Sequence, residues 1–327
     1  MSCYHPLLGL RDQINDKGRW TYKVVGPWSV EARQLDPTSI KIPCGRCIGC
    51  RLEYSRAWAD RMILELDHSK TGIFVTLTYD NDHVPFTEAE YTGEFGCLSL
   101  DKRDFQLFLK RLRKHFDEKQ IRFYLAGEYG SKSYRPHGHA ILFGLSIDDF
   151  PDKVFYKRNK FGDILYTSDS LSKIWKNGYA VFSDVSWKTC AYVSRYVQKK
   201  VFRSTEWLSD FYGAEPEFSL CSRRPGIAGF FPWEHQDVFQ KSKIYVPGKD
   251  EGIALPSYFL DKLKDDSPKN VLYNQELYDK IKKDRVRFAS DKELLKLQRT
   301  DLSFIDQLEI EENKKLAQAA VLRRELE

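Results

Sequence analysis

The chain has 327 residues, of which 30% are charged and 42% are hydrophobic, and its formal net charge is only +5. This charge excess is too small to indicate a polyanion partner by itself, and no apolar run approaches the ~18 residues of a membrane helix. Since the first residues also lack the basic and then apolar pattern of a secretory signal, we expect a soluble, cytoplasmic protein with no membrane partner.

The predicted elements begin with an irregular arm over residues 1–43, which shows no clear hydrophobic period and several turn signals. The next segment, RLEYSRAWADRMILELDHSK at 51–70, repeats apolar positions at helical spacing and predicts a helix. The stretch TGIFVTLTYD at 71–80 is β-branched and aromatic and predicts a buried strand. A loop over 80–98 follows it.

The middle of the chain alternates helices and strands. The predictions, in chain order, are a helix over 99–116, strands over 121–130 and 135–145, a helix over 168–176, a strand over 178–186 and a helix over 188–202. Short links between paired strands favour an α+β fold, with a central antiparallel sheet flanked by helices. Beyond residue 204 we expect a short helix in ALPSYFLDKLKDD and a charged helical tail from residue 272.

Three of the seven cysteines, Cys44, Cys47 and Cys50, have the spacing C-x2-C-x2-C. In a reducing cytoplasm such a cluster more often holds a metal than a disulfide. Structural zinc takes four ligands, and Cys3 or His5 is the nearest candidate for the fourth. An iron–sulfur cluster, or reduced thiols around a tight turn, are the alternatives.

A candidate catalytic metal site lies in LAGEYG and RPHGHAILFG. His137 and His139 stand two residues apart on a predicted strand, so both imidazoles project from one face. A short turn brings Glu128 of the preceding strand beside them. Two nitrogens and one carboxylate oxygen suit a divalent ion such as Mg²⁺ or Mn²⁺. Taken singly, each of these residues is more often an ordinary surface group.

A candidate nucleophile lies in the helix AYVSRYVQKK. Tyr192 and Tyr196 are four residues apart and share one helix face, which Lys199 and Lys200 extend. A phenol held beside a metal-polarised phosphodiester can attack phosphorus, giving a covalent phosphotyrosine and a free 3′ hydroxyl. Either lysine would offset the developing charge, and two tyrosines permit two linked cuts. The ordinary alternative is an amphipathic helix with a solvated end.

Basic residues with aromatic residues between them suggest a groove that holds phosphates and stacks bases. They lie in KRLRKHF (110–116), KVFYKRNKF (153–161), RYVQKKVFR (195–203) and SRR (222–224). A solvated surface with scattered charges is the alternative. The sequence contains neither form of Gly-rich phosphate loop, so we expect no nucleotide-binding domain.

Three motifs in this order, FVTLTY, RPHGH and YVSRYVQKK, resemble motifs 1, 2 and 3 of HUH endonucleases that initiate rolling-circle replication. The paired tyrosines are similar to those of microvirus initiators. The segments CGRCIGCRLEYSRAWADRM and SRRPGI most resemble the gokushovirus branch. The resemblance covers about residues 40–230. Family members usually have a bulky hydrophobic residue between the two histidines, where this chain has Gly138, a change expected to remove a core contact and keep the ligands.

The resemblance implies a phage protein that nicks and rejoins origin DNA in the host bacterial cytoplasm, replicating a single-stranded DNA genome with host helicase and polymerase. It implies a Cys-containing arm and helix over 1–70, an HUH core over 71–230 and a charged helical region over 231–327. A relaxase or transposase would use the same chemistry, and a hydrolase would use water as the nucleophile. A further alternative is a non-catalytic sheet that binds single-stranded nucleic acid through Phe74, Tyr79 and Tyr124.

Overall fold

A computed structural model describes most of the chain, and the part it describes comprises residues 3–16, 20–26, 39–87, 97–130, 133–159, 162–202, 214–241, 243–265 and 270–326. Side chains of residues 195–202, 293 and 321–326 lie outside this description. The chain divides into two compact units, one of Met1–Tyr54 with Tyr278–Glu327 and one of Ser55–Leu277. The three-part division predicted from the sequence stays a prediction. Within the described ranges, no helix combines the length and hydropathy of a membrane span.

The first unit begins with a small antiparallel sheet in the order β2-β1-β3. Its strands are β1 (Leu7–Ile14), β2 (Trp20–Val25) and β3 (Ile40–Ile42). The predicted irregular arm is therefore wrong for these stretches. Most of the side chains of β2 are exposed, so the strand lacks the apolar alternation by which a half-buried strand is recognised. Helix α1 (Ile48–Ser69) follows, close to its predicted bounds.

The second unit is built on a seven-stranded sheet. Its elements, in chain order, are β4 (Gly72–Tyr79), β5 (Phe86–Thr87), β6 (Cys97–Leu98), α2 (Lys102–His115), β7 (Arg122–Tyr129), β8 (Pro136–Phe143), β9 (Val154–Arg158), β10 (Ile164–Thr167), α3 (Asp169–Trp175), β11 (Gly178–Asp184), α4 (Trp187–Phe202) and β12 (Phe218–Cys221). The sheet order is β12-β7-β8-β4-β11-β10-β9, and every neighbouring pair is antiparallel. The predicted α+β architecture is confirmed, with the hairpin β9–β10 and strand β12 as additions.

The main core lies between one face of this sheet and helices α2 and α3. Helix α2 begins where the side chain of Asp101 accepts a hydrogen bond from the Arg103 N–H, and its buried face carries Phe105 and Phe108. These rings pack with the buried Trp175 of α3. Burial of each such side chain contributes roughly 1.5–3 kcal/mol. The core therefore fixes the sheet from behind and leaves its other face for the site.

The opposite face of the sheet is partly covered by α1 and α4. The hydroxyls of Ser55 and Ser194 meet at 2.8 Å between these helices. Trp58 of α1 lies on the buried ring of Tyr124 in β7, with 4.9 Å between ring centroids. Small residues permit a close helix approach, so α1 and α4 cover β7 and β8 together.

A buried ion pair ties α1 to β7 and to the loop after β12. The carboxylate of Glu65 accepts from the guanidinium of Arg122 and from the backbone N–H of Ala228. The same guanidinium donates to the carbonyls of Pro225 and Gly226, at 2.9 and 3.0 Å. This pair therefore holds the backbone of the SRRPGI segment.

The remaining elements agree with the predicted short helix and helical tail. They are α5 (Phe231–Glu234), α6 (Asp237–Lys241), β13 (Lys243–Ile244), β14 (Ile253–Ala254), α7 (Ser257–Lys264), α8 (Gln275–Leu297) and α9 (Phe304–Leu326). Part of the predicted basic groove is structural instead. Arg111 donates to the carbonyls of Ile174 and Trp175, both at 2.6 Å, and so completes the end of α3.

Candidate active site

Strand pairing brings the predicted metal ligands together. Glu128 on β7 is directly opposite His137 on β8, and His139 stands two residues further along the same face. Oε1 of Glu128 lies 2.7 Å from Nε2 of His137 and 3.1 Å from Nε2 of His139. One ligand atom from each residue lies within 4.8 Å of the others. These three groups can therefore hold one ion.

Two neighbouring residues orient the imidazoles. Nδ1 of His137 is 3.0 Å from the carbonyl oxygen of Arg135, and because a carbonyl only accepts, Nδ1 carries the proton and Nε2 is the ligand atom. Nδ1 of His139 is 3.1 Å from the hydroxyl of Thr76 on β4. The sequence analysis missed both orienting groups. The alternation in FVTLTY places Thr76 on the site face, but only the register of β4 against β8 pairs it with His139.

The donor set is dry and ionised on its acidic side. Glu128 is 3% exposed and His139 is 5% exposed. Burial raises the pKa of Glu128, but the hydrogen bonds from His137 and His139 outweigh it and lower this pKa to about 2. The carboxylate is consequently charged at neutral pH, as a divalent ion requires.

Two glycines lie behind the ligands. Gly138 is directly opposite Gly127 across β7 and β8. A Cβ on Gly138 would lie 2.2 Å from a ring atom of Phe105, and one on Gly127 would lie 2.8 Å from a ring atom of Phe218. The two rings pack at 5.7 Å and occupy this space. The core contact that Gly138 was expected to remove is thus supplied by aromatic rings from α2 and β12.

Helix α4 brings Tyr192 beside the donor set. At the start of the helix, the hydroxyls of Ser186 and Thr189 each accept from the other residue's backbone N–H. One turn later, the half-buried ring of Tyr192 packs edge-on against His139, with 5.1 Å between centroids. Phe74 of β4 stacks on His139 and meets the tyrosine at 6.1 Å. A phenol therefore lies next to a proposed ligand.

The other predicted catalytic residues lie on the last turns of the same helix. The backbone of Tyr196, Lys199 and Lys200 is helical, and their side chains lie outside the described part of the structure. The binding-only alternative loses two of its aromatics. Tyr79 and Tyr124 are each 1% exposed, so neither ring offers a surface to a base.

A second candidate metal centre consists of Cys3, Cys44, Cys47 and Cys50. The Sγ atoms of Cys44 and Cys50 are 4.0 Å apart, and those of Cys3 and Cys47 are 3.9 Å apart. Backbone N–H groups at the start of α1 point at these sulfurs, with Cys47 N 3.3 Å from Cys44 Sγ. His5, the other candidate for the fourth ligand, instead contacts Glu312 at 2.5 Å.

Burial keeps two of these thiols protonated. It raises the pKa of Cys3 to about 11 and also raises that of Cys50. Burial acts in the same direction on Cys44, but N–H groups of Cys47 and Arg46 outweigh it and lower its pKa to about 7. Four adjacent thiolates therefore require a compensating cation.

Comparison with known proteins places the chain among replication-associated proteins. Residues 72–201 match the family model for replication-associated proteins of the ORF2 type. Replication-associated protein VP4 of Bdellovibrio phage phiMH2K is 28% identical over 70% of this chain and 70% of its own length. For ORF2 of Spiroplasma virus 4 the values are 29%, 67% and 66%, and for ORF4 of Chlamydia phage 1 they are 31%, 76% and 60%.

These alignments span about two thirds of the length of the relatives. No solved structure matches the chain significantly. The resemblance to microvirus replication proteins that the motifs predict is confirmed.

Proposed function

Because the chain is related to phage replication-associated proteins, we propose that it initiates rolling-circle replication by nicking and rejoining origin DNA. The observation that carries this proposal is the ring of Tyr192 against His139, within the Glu128–His137–His139 donor set. A nucleophile, a divalent-ion site and a family relationship to replication proteins then belong to one reaction.

The donor set fits a divalent ion. Two imidazole nitrogens and one carboxylate oxygen leave coordination positions for water and phosphate oxygens, and the nitrogens favour tolerance of Mn²⁺ beside Mg²⁺. When bound, the ion polarises the non-bridging oxygens of the phosphodiester. Thr76 and Arg135 hold the imidazoles so that Nε2 of each faces the carboxylate.

The chain supplies the nucleophile. The phenol oxygen of Tyr192 attacks phosphorus, forming the tyrosine–phosphate bond as the bond from phosphorus to the 3′ oxygen breaks. The phenol proton leaves the nucleophile, and the departing 3′ oxygen takes up a proton to become a hydroxyl. Lys199 or Lys200 offsets charge on the phosphate, and Tyr196 serves as the second nucleophile when the new strand end is transferred.

The cysteine cluster is proposed to hold structural zinc. Sulfurs bound to one Zn²⁺ at about 2.3 Å lie about 3.8 Å from one another, the edge of a tetrahedron. The two measured separations, 3.9 and 4.0 Å, agree with that length. Thiolates of an iron–sulfur cluster bind different iron atoms with sulfide between them, so they lie further apart than sulfurs around a single ion.

The proposal includes the setting of the reaction. The protein acts on single-stranded origin DNA in the cytoplasm of a host bacterium, and the host supplies helicase and polymerase. The names of the relatives favour replication over conjugation or transposition, although all three could use the same chemistry.

A covalent adduct tests the chemistry. Full-length protein incubated with Mn²⁺ and a labelled single-stranded origin oligonucleotide is expected to yield a protein–DNA adduct that survives denaturation. The double variant Tyr192→Phe, Tyr196→Phe should abolish the adduct, because phenylalanine keeps the ring and removes the nucleophile. The variant Tyr273→Phe is the matched control, since this exposed tyrosine lies far along the chain.

Two results would contradict the proposal. An adduct formed by the double variant would exclude these tyrosines, and cleavage by the wild type without any adduct would indicate water as the nucleophile. His137→Ala should abolish cleavage and leave strand binding largely intact, because binding depends chiefly on basic residues.

A further inference from the structure

The row of residues that contains two ligands continues across the sheet. Glu128 pairs with His137, His137 pairs with Thr78 on β4, and Thr78 pairs with Tyr179 on β11. Residues directly opposite one another project from the same face of a sheet. Neighbouring strands are about 4.8 Å apart, so the Cα atom of Tyr179 lies roughly 10 Å from that of His137.

Exposure changes sharply along this row. Glu128 is 3% exposed, whereas Tyr179 is 67% exposed. Helices α1 and α4 cover β7 and β8, while the site face is open at β11. The donor set therefore lies at the border between a covered part and an open part of the same sheet face.

The open part extends onto the hairpin β9–β10. Val181 of β11 pairs with Thr167, which pairs with Val154 of β9, so these three side chains share the site face. Val154 is 62% exposed. Beyond an irregularity in the pairing, Lys157 is opposite Leu165 and its ammonium lies 5.1 Å from the ring of Tyr156. Strands β9 and β10 contain two basic residues and no acidic residue.

We propose that a single strand of DNA lies across this open strip, from the donor set over β11 onto the hairpin, with one base stacked on Tyr179. This inference rests on the proposed function for the identity of the strand. It gives that function a specific positioning residue, because a base held on Tyr179 fixes which phosphate reaches the ligands and Tyr192.

The chemistry of the strip favours a single strand. An exposed aromatic ring offers a π face to any unpaired base, and lysine beside it attracts phosphate. Bases of a duplex are stacked on one another and present no free face. Pairing of a protein strand with β9 is disfavoured, because charged residues such as Lys157 and Arg158 on an edge strand oppose strand addition.

The test measures binding of a fluorescent single-stranded oligonucleotide to full-length protein by anisotropy. Tyr179→Ala is expected to weaken binding about fivefold or more, as the loss of one stacked base predicts. Tyr179→Phe should retain wild-type affinity, because stacking needs the ring and not the hydroxyl. In the same experiment, 2-aminopurine at the base next to the scissile phosphate should be quenched by wild type and not by Tyr179→Ala.

The sheet itself provides a matched control. Phe155 of β9 is 58% exposed, and its pairing with Tyr166, opposite Phe182, places it on the other face of the sheet. Phe155→Ala should therefore bind the oligonucleotide as wild type does. Equal losses for Phe155→Ala and Tyr179→Ala would indicate a general effect on folding or charge and would overturn the inference.

The outcomes separate this inference from the proposed function. If wild type forms the covalent adduct but Tyr179→Ala binds DNA normally, the strip is not the binding surface and the inference fails alone. If no adduct forms but Tyr179→Ala still loses affinity selectively, the proposed chemistry fails and the binding surface stands. Circular dichroism of each variant identifies any that has failed to fold.

Discussion

The two candidate metal centres are built in opposite ways. The ligands of the first lie on paired strands, where backbone hydrogen bonds fix Glu128 opposite His137 and the carboxylate already bonds both imidazoles. The sulfurs of the second come from an N-terminal segment and a turn, and Cys3 and Cys47 are 44 residues apart. The first centre is therefore preorganised by the sheet, whereas the second depends on its ion for cohesion.

This difference assigns different consequences to metal loss. Removing the ion from the sheet centre leaves an ionised carboxylate with hydrogen bonds to two imidazoles, so the fold persists and only the chemistry stops. Removing zinc from the cysteine cluster leaves buried thiols that reprotonate, and the free energy of zinc binding is lost from folding.

The largest expected effect comes from breaking the cysteine centre. Cys47→Ser, or a strong zinc chelator, should remove roughly 10 kcal/mol of zinc-binding free energy and unfold the small sheet of β1–β3. Hydrogen exchange measured by mass spectrometry should show lost protection in β1–β3 and unchanged protection in β7 and β8. Cys221→Ser, which alters a cysteine outside the cluster, is the control. Unchanged exchange in β1–β3 would show that this sheet does not need the ion.

A smaller effect should follow from disturbing the packing that makes the sheet centre rigid. Gly138→Ala places a Cβ about where Phe105 has a ring atom, so we expect a loss of about 1–3 kcal/mol in the free energy of unfolding by urea. Gly26→Ala is the control, because a Cβ there meets nothing within 4 Å.

A double-mutant cycle sharpens this result. Phe105→Leu removes ring atoms from the clash, so its cost and that of Gly138→Ala should be less than additive when combined. Strict additivity would mean that the ring does not determine the need for glycine at this position.

The smallest effect is expected from the hydrogen bond that orients one ligand. Thr76→Val removes the hydroxyl beside Nδ1 of His139 and should weaken Mn²⁺ affinity about tenfold, read from the Mn²⁺ dependence of cleavage. Thr76→Ser keeps the hydroxyl and should restore wild-type affinity. Equal affinities for the valine and serine variants would mean that packing, and not this bond, orients the imidazole.

The sequence predicted the site where local rules are strong. Two histidines at period two on a strand must share a face, and a short turn must bring Glu128 near them, so the donor set follows from spacing. The helix bearing Tyr192 likewise follows from its periodicity. These features depend on neighbours in sequence or on a single hairpin.

Features that depend on distant packing were missed or misjudged. The exposure of Tyr179 and the burial of Tyr79 and Tyr124 depend on which part of the sheet the helices cover. The need for Gly138 depends on an aromatic ring from α2. Strands β1–β3 escaped prediction because exposed strands lack an apolar period, and hairpin β9–β10 was recognised only as a basic, aromatic cluster.

The buried pair of Glu65 and Arg122 has a consequence for strand β7. Arg122 and Glu128 project from the same face, one near each end of the strand, and each is tied to a partner of opposite charge or to hydrogen-bond donors. A slip by one residue would turn both ionised groups into the aromatic core, and a slip by two would break both sets of bonds. The strand is thereby locked in register at its two ends, and the carboxylate that faces the imidazoles cannot drift along the sheet.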